Sequence, residues 1–155
     1  MRVFLSILGL LAVLFTANAA GVQVEHAWAR ATAPGASMGA VYLAVHNTGA
    51  QADRLLSVTC ELAKLAELHE SIIDASGTMR MQPHAQGVLI PAKSVTRFAP
   101  SGLHIMLMGL TKPLAAKSEL PLTLVFKRAG KVKISATVMA SAPGKASGPR
   151  AAHEH

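Results

Sequence analysis

Histidine and methionine alternate with apolar residues near position 105 in a pattern that suits metal binding. Residues Leu103–Met108 read as a β-strand in which His104, Met106 and Met108 share one face. Positions i and i+2 on one face lie about 7 Å apart along a strand, so their side chains can converge on one ion. This stretch therefore offers an imidazole and a thioether from neighbouring positions.

A second grouping of the same residue types lies earlier in the chain. Met79 and Met81 repeat the i, i+2 spacing, and His69 precedes them by a short segment. One ion can thus be offered two imidazoles and two thioethers: His69, Met81, His104 and Met106. These ligands are uncharged and thioethers suit a soft ion, so the set favours Cu(I) over Zn²⁺, Ca²⁺ or Mg²⁺. Methionine stripes also pack in cores, and spacing alone leaves packing as an equal alternative.

Short β-strands are predicted to position these residues. Lys131–Val138 and Leu120–Lys127 alternate apolar and polar residues, and Ala129-Gly130 between them suits a tight hairpin turn. The Ala, Leu, Glu and Lys content of Cys60–Leu68 also permits a helix, and the sequence leaves that conflict open. The pattern as a whole predicts an all-β sandwich or barrel. Further predicted strands are Val22–Thr32, Gly39–His46, Arg54–Thr59, Lys64–His69 and Ser94–Phe98.

The chain divides into three predicted segments: 1–19, 20–140 and 141–155. The first combines the basic Arg2, an apolar run and the small residues Ala17–Ala19, which is typical of a secretory signal peptide. No cysteine follows that cleavage site, so we expect no lipid attachment. No later segment is apolar for the roughly 20 residues of a membrane span. We therefore predict a soluble exported domain, periplasmic in a Gram-negative source, with a flexible tail rich in Ala, Gly, Pro and Ser.

The composition argues against several classes of protein. The 155 residues are 51% apolar and include a single cysteine, Cys60, which excludes an internal disulfide, a cysteine-rich zinc site and an iron–sulfur cluster. A net charge of +7 comes without a long basic run or interleaved aromatic residues, so nucleic-acid binding is not expected. Solubility explains this charge better than docking to an acidic partner or membrane. No constellation of acid, base and nucleophile is present, and we expect no enzyme.

Five stretches occur together in a recognisable order: Ala27–Gly35, Gly39–Leu43, Glu67–Glu70, Met79–Met81 and His104–Leu110. In this combination the sequence resembles the periplasmic copper chaperones of the PCu(A)C family over about residues 22–138. The resemblance implies a cupredoxin-like Greek-key β-sandwich that binds Cu(I) through a His…Met…His-x-Met motif. It also implies delivery of copper to a partner such as the CuA domain of cytochrome c oxidase or a Sco-type protein.

Carried over residue by residue, the family motif assigns four copper ligands: His69, Met81, His104 and Met106. Met79 stays an alternative to Met81, and His84 is a weaker candidate. The sequence departs from the family at Glu70, where a methionine often follows the first histidine, and in a longer interval between Met81 and His104. Some members bind further copper, particularly Cu(II), through a C-terminal extension, a role open to His153 and His155.

Two other functions and several neighbouring residues stay open. A copper-scavenging or copper-resistance protein would look alike in sequence. A blue-copper electron carrier needs a cysteine thiolate with two histidines, and only Cys60 is present. Glu67 and Glu70 are expected to be solvated, with orientation of the His69 imidazole as the alternative. Trp28 and Cys60 are expected to be buried in the core.

Overall fold

The alternating segments form β-strands in the structure, a computed structural model that describes residues 21–143. The predicted signal peptide, residues 1–19, lies outside the described residues, as do residues 144–155 with His153 and His155. Within residues 21–143, no helix is long and apolar enough to cross a membrane. Ten strands and no helix occur in this range: β1 Val22–Arg30, β2 Met38–Asn47, β3 Asp53–Thr59, β4 Ala63–Ile73, β5 Met79–Pro83, β6 Val88–Ile90, β7 Ser94–Phe98, β8 Leu103–Leu110, β9 Glu119–Phe126 and β10 Gly130–Met139.

These strands make the Greek-key, cupredoxin-like β-sandwich that the resemblance implies. Neighbouring strands follow the order β5-β4-β8-β2-β1-β10-β9-β3-β6, and β7 pairs with β2 off this path. β2 pairs with β8 along Met38–Val41 and with β7 along Leu43–Asn47. β3 lies against β4, so the two halves of the order enclose one core. Because the order is not sequential, segments far apart in the chain lie side by side.

The hydrophobic core draws alternate residues from both halves of the sandwich. β9 and β10 contribute Leu122, Leu124 and Val138, while β2 and β8 contribute Val41 and Leu107. Removing this apolar surface from water is the main stabilising term in folding. Since side chains alternate along a strand, the remaining residues of β8 and β2 point away from this core.

The strand predictions are confirmed, with small differences at the ends. β7 spans Ser94–Phe98 as predicted, and the predicted hairpin turns into β10 at Gly130, where φ is 75°. The helix alternative for Cys60–Leu68 is wrong, because β4 begins at Ala63 and pairs with both β5 and β8. Pairing on both edges, with Leu68 in the core, outweighs the helix propensity of the segment.

A β-bulge in β1 reverses which residues face the core. Val22 lies in the core, but the register with β2 shifts ahead of Trp28, and His26 has a φ of 53°. Beyond the bulge Ala29 faces the core, so Trp28 points the other way and stacks on Tyr42 with ring centroids 4.6 Å apart. Trp28 is buried as expected, at 9% exposed, although it lies outside the main core cluster.

Candidate metal centre

The candidate site lies on the side of β5, β4, β8 and β2 that points away from the core, which we call the outer face. Ile105 and Leu107 of β8 are fully buried in the core. The residues that alternate with them, His104, Met106 and Met108, therefore face outward. Directly paired residues of neighbouring strands share a face. By this register the outer face carries Met38, Ala40, Leu65, Glu67, His69, Ser71, Met79, Met81, His104, Met106 and Met108.

His69 and His104 are direct partners on β4 and β8. Their ring centroids are 5.9 Å apart, and the ring planes are tilted by 54°. His104 is only 4% exposed, and the His69 side chain is 15% exposed. The two histidines predicted from separate groupings therefore form one largely buried pair.

Each imidazole has one nitrogen held by a hydrogen-bond acceptor. His69 Nε2 lies 2.8 Å from Glu67 Oε2, and His104 Nδ1 lies 2.9 Å from the carbonyl oxygen of Gly102. An ionised carboxylate and a carbonyl can only accept, so these two nitrogens carry the protons of the neutral rings and donate them. The lone pairs are consequently assigned to His69 Nδ1 and His104 Nε2.

Those two nitrogens are buried without a hydrogen-bond partner. Among the buried side-chain nitrogen and oxygen atoms of residues 21–143, His69 Nδ1 and His104 Nε2 are the ones left unpaired. A buried polar atom without a partner typically costs about 1–3 kcal/mol, so its persistence calls for an explanation. Metal-ligating histidines commonly donate the other ring N–H to a carboxylate or carbonyl, which is the arrangement seen here. The donor set thus fits a bound metal ion.

Met106 adds a thioether beside the imidazole pair. It follows His104 by two residues on β8 and is the direct partner of Glu67 on β4. Its side chain is 9% exposed and is not part of the main core cluster. The sulfur of Met106 is therefore available to the same space on the outer face that His104 faces.

The register separates Met81 from Met79. Met81 pairs with Ser71, two residues beyond His69, whereas Met79 pairs with Ile73, two residues further still. Each two-residue step along a strand adds about 7 Å. Both methionines are more than half exposed, at 57% and 56%. Met81 is therefore the nearer of the two to the histidines along the strands, and its side chain is open to solvent.

A compact turn between β4 and β5 holds Met81 in this register. Asp74 Oδ1 accepts hydrogen bonds from the backbone N–H groups of Ser76 and Thr78, each at 3.0 Å. Arg80 Nε donates to Asp74 Oδ2 at 2.6 Å. The hydrogen bond from the Ser76 hydroxyl, followed by that from Arg80, lowers the pKa of Asp74 to about 2. The turn therefore depends on an ionised Asp74.

The structure keeps His84 apart from this pair. His84 Nε2 lies 2.9 Å from Glu70 Oε2. Glu70 is the sequence neighbour of His69 on β4, so its side chain leaves the strand on the opposite face. The Glu67 and Glu70 side chains are 42% and 38% exposed, as the expectation of solvation requires, but each also holds a histidine. Glu67 orients His69, which the sequence offered as the alternative.

Cys60 is buried and lies far from the histidines. It is 8% exposed and packs in the core, as predicted, and burial raises the pKa of its thiol. Cys60 comes before Ala63, the first residue of β4. The six residue steps from Ala63 to His69 along this strand span about 20 Å. A blue-copper site of this cysteine with His69 and His104 is therefore not formed. Within residues 21–143, no three His, Cys, Asp or Glu side chains gather as a metal-binding group.

Comparison with known proteins places the chain in a family. The family model described as "Putative lipoprotein LpqE-like" matches residues 22–138. The chain belongs to the LpqE-like family. It is 40% identical over 109 residues to "Putative lipoprotein Lxx21020" of Leifsonia xyli subsp. xyli (strain CTCB07). That match covers 70% of this chain and 64% of the relative, so this LpqE-like chain spans less than two thirds of the relative's length.

Solved structures similar to this LpqE-like protein are PCuAC domains and a copper-bound relative. The apo PCuAC domain from PmoF1 is 32% identical with a TM-score of 0.66, covering 78% of this chain and 95% of that one. The copper-bound PCuAC domain from PmoF2 is 27% identical with a TM-score of 0.65, covering 78% and 94%. Cu(I)-DR1885 from Deinococcus radiodurans is 26% identical with a TM-score of 0.57, covering 76% of each chain. The predicted cupredoxin-like fold is confirmed by these comparisons.

Proposed function

We propose that this LpqE-like protein is a copper carrier that binds one Cu(I) ion and passes it to a partner protein. The observation that carries the proposal is the pair of buried, unpartnered nitrogens, His69 Nδ1 and His104 Nε2, on neighbouring rings whose centroids are 5.9 Å apart. The role is binding and transfer rather than catalysis. The proposed ligands are His69, Met81, His104 and Met106.

The chemistry of these ligands supports copper as the cargo. Two neutral imidazoles and two thioethers bring no negative charge, and soft thioethers select Cu(I) among the common biological ions. The similar PCuAC domain from PmoF2 is copper-bound, and DR1885 is described with Cu(I). A copper ion would satisfy both unpaired nitrogens. The proposed ligands include no cysteine, a residue that an oxidising compartment would convert to a disulfide.

The unequal burial of the ligands suggests how the ion is released. His104 and Met106 are 4% and 9% exposed, whereas Met81 is 57% exposed. A ligand from a partner can therefore approach the ion from the Met81 side and replace that thioether first. Thioethers do not protonate, so this exchange needs no proton transfer at Met81 or Met106. The buried imidazoles would hold the ion until the incoming ligands have displaced them.

The family supports export of the protein, and the destination of the cargo is part of our proposal. The family description and the relative from Leifsonia both name lipoproteins, which supports an exported protein. The signal-peptide pattern of residues 1–19 supports export, which in a Gram-negative source leads to the periplasm. There we propose delivery to a copper-accepting protein such as the CuA domain of cytochrome c oxidase or a Sco-type protein. Transfer from Cu(I)-loaded protein to an isolated apo CuA domain tests this destination.

A Cu(I) titration against a competing chromophoric chelator, under reducing and anaerobic conditions, tests the binding site. We expect one tight equivalent in the natural protein and its loss in the double variant His104→Ala, Met106→Leu. His84→Ala is the matched control. Because His84 bonds to Glu70, we expect this substitution to leave the Cu(I) affinity unchanged. Tight binding that survives in the double variant would refute the assignment.

A further inference from the structure

Two methionines that the proposed ligand set leaves out lie side by side on the outer face. Met38 of β2 and Met108 of β8 are direct cross-strand partners. The adjoining pair, Gly39 and Leu107, faces the core: Leu107 is fully buried, and a Cβ at Gly39 would lie 3.2 Å from Leu114. Because strand side chains alternate, Met38 and Met108 point outward.

Met106 completes a group of three thioethers. It precedes Met108 by two residues, and its own partner on β2 is the small residue Ala40. Paired residues on one face have Cβ atoms about 4.5–5.5 Å apart, and i, i+2 neighbours lie about 7 Å apart. Methionine side chains are unbranched with three rotatable bonds, so three sulfurs at these spacings can converge on one ion.

The surroundings of this group are apolar and open to solvent. On its other side Met108 is paired with Leu65, which is 49% exposed, and Met38 is 50% exposed. Sulfur is the donor that Met38, Met106 and Met108 share. Three thioethers suit a soft univalent ion and offer little to Zn²⁺ or Cu²⁺, which prefer imidazole or oxygen ligands.

We propose that Met38, Met106 and Met108 form a second, weaker site for a soft univalent ion, Cu(I) or Ag(I). The proposal rests on the proposed function, because Met106 belongs to both sets of ligands. Sharing Met106 lets an ion step between the imidazole pair and the exposed Met38 without leaving the outer face. The second site thus gives the ion a second binding position along β8, away from the exposed Met81.

Methyl NMR of the purified protein, labelled at the methionine ε-carbon and titrated with Ag(I), tests this directly. The first equivalent is expected to shift the Met81 and Met106 methyl signals, and the second to shift those of Met38 and Met108. Met139 on β10 should not move. Unchanged Met38 and Met108 signals through three equivalents would overturn the second site. If Met81 and Met106 did respond, that result would leave the proposed function standing.

Variants separate the two sites further in a Cu(I) competition titration. The double variant Met38→Leu, Met108→Leu keeps side-chain volume and should lose the second equivalent while retaining the first. Met139→Leu makes the same chemical change away from the outer face and should lose neither. Leu65→Met adds a fourth sulfur beside Met108 and should tighten the second equivalent only. Retention of the second equivalent in the double variant would contradict the proposal.

Discussion

At the scale of single residues, Glu67 decides which nitrogen of His69 keeps a free lone pair. Its carboxylate accepts a hydrogen bond from Nε2, with the nitrogen and oxygen 2.8 Å apart, which leaves the lone pair on the buried Nδ1. Without that acceptor, His69 would exchange between tautomers and ring orientations, and binding would have to select the competent one. Glu67 therefore acts on the ion through His69 rather than as a ligand.

Glu67→Ala is expected to weaken Cu(I) binding by about 10- to 100-fold, the usual effect of removing a group that orients a metal-ligating histidine. Glu70→Ala is the matched control, because Glu70 bonds to His84 on the other side of β4. Chelator competition measures both. Equal losses in the two variants would show that general electrostatics, rather than orientation of His69, accounts for the effect.

The candidate histidines and methionines are easier to find in the sequence than the groups that support them. The i, i+2 spacing of His104 with Met106 is visible in the sequence, and the structure pairs His69 with His104. Glu67 and Glu70 looked equivalent there, one on each side of His69. Strand parity is the signal that separates them, since Glu67 shares the face of His69 and Glu70 does not.

At the scale of elements, the β4–β5 hairpin sets the position of Met81. Its turn is organised by Asp74, which binds Ser76, Thr78 and Arg80. The folded-state pKa of Asp74 is lowered from 3.8 to about 2. The carboxylate therefore stabilises the hairpin fully above about pH 4, and that contribution is lost as the pH falls toward 2.

An NMR titration of the Asp74 side-chain carboxyl should give a midpoint near pH 2, with the Ser76 and Thr78 amide signals following it. Asp74→Ala should loosen the hairpin and weaken Cu(I) binding by a few fold, since Met81 is one of the four proposed ligands. A midpoint near the ordinary aspartate value would show that the hydrogen bonds of the turn do not persist in solution.

The turn that leads into β6 requires a glycine at position 87. Gly87 has a φ of 78°, and a Cβ there would collide with the Leu55 carbonyl oxygen, whereas Gly77 has a φ of 80° with open space around it. Gly77→Ala should lower the free energy of unfolding by about 1 kcal/mol, through the backbone conformation alone. Gly87→Ala should cost about 3 kcal/mol or more. Equal costs in urea denaturation would rule out the steric contact.

Periodicity predicts most strands, and its failures have physical causes. β9 and β10 alternate cleanly and are predicted, whereas the short strands β5 and β6, of five and three residues, are not. In β1 the bulge at His26 changes the parity, which is why Trp28 faces outward although it matches Val22 in spacing. In β4 the local preference for helix conflicts with pairing on both edges, a contact that no local pattern reports.

At the scale of the whole molecule, the site joins strands that are distant in the chain. His104 lies on β8, His69 on β4 and Met81 on β5, and β4 pairs with both of the others. An ion held by all three strands is bound by the folded state and not by the unfolded chain. Copper binding should therefore stabilise the entire domain rather than the hairpin alone.

Cu(I) in excess, at about 100 times its Kd, should stabilise the fold by about 2.7 kcal/mol and raise the Tm by about 10 °C. Circular dichroism on heating, under anaerobic reducing conditions, measures this shift. Zn²⁺ at the same concentration should have little effect, because half of the proposed ligands are thioethers. An equal rise with Zn²⁺ would contradict a site built around sulfur.

X-ray absorption at the copper edge, on protein loaded with one equivalent of Cu(I), reports which atoms coordinate the ion. We expect an ion coordinated by two imidazole nitrogens together with thioether sulfur. The sulfur contribution should fall in Met106→Leu, and the imidazole contribution should fall in His104→Ala. A shell of nitrogen and oxygen alone, or one unchanged by both substitutions, would show that the ion is bound elsewhere.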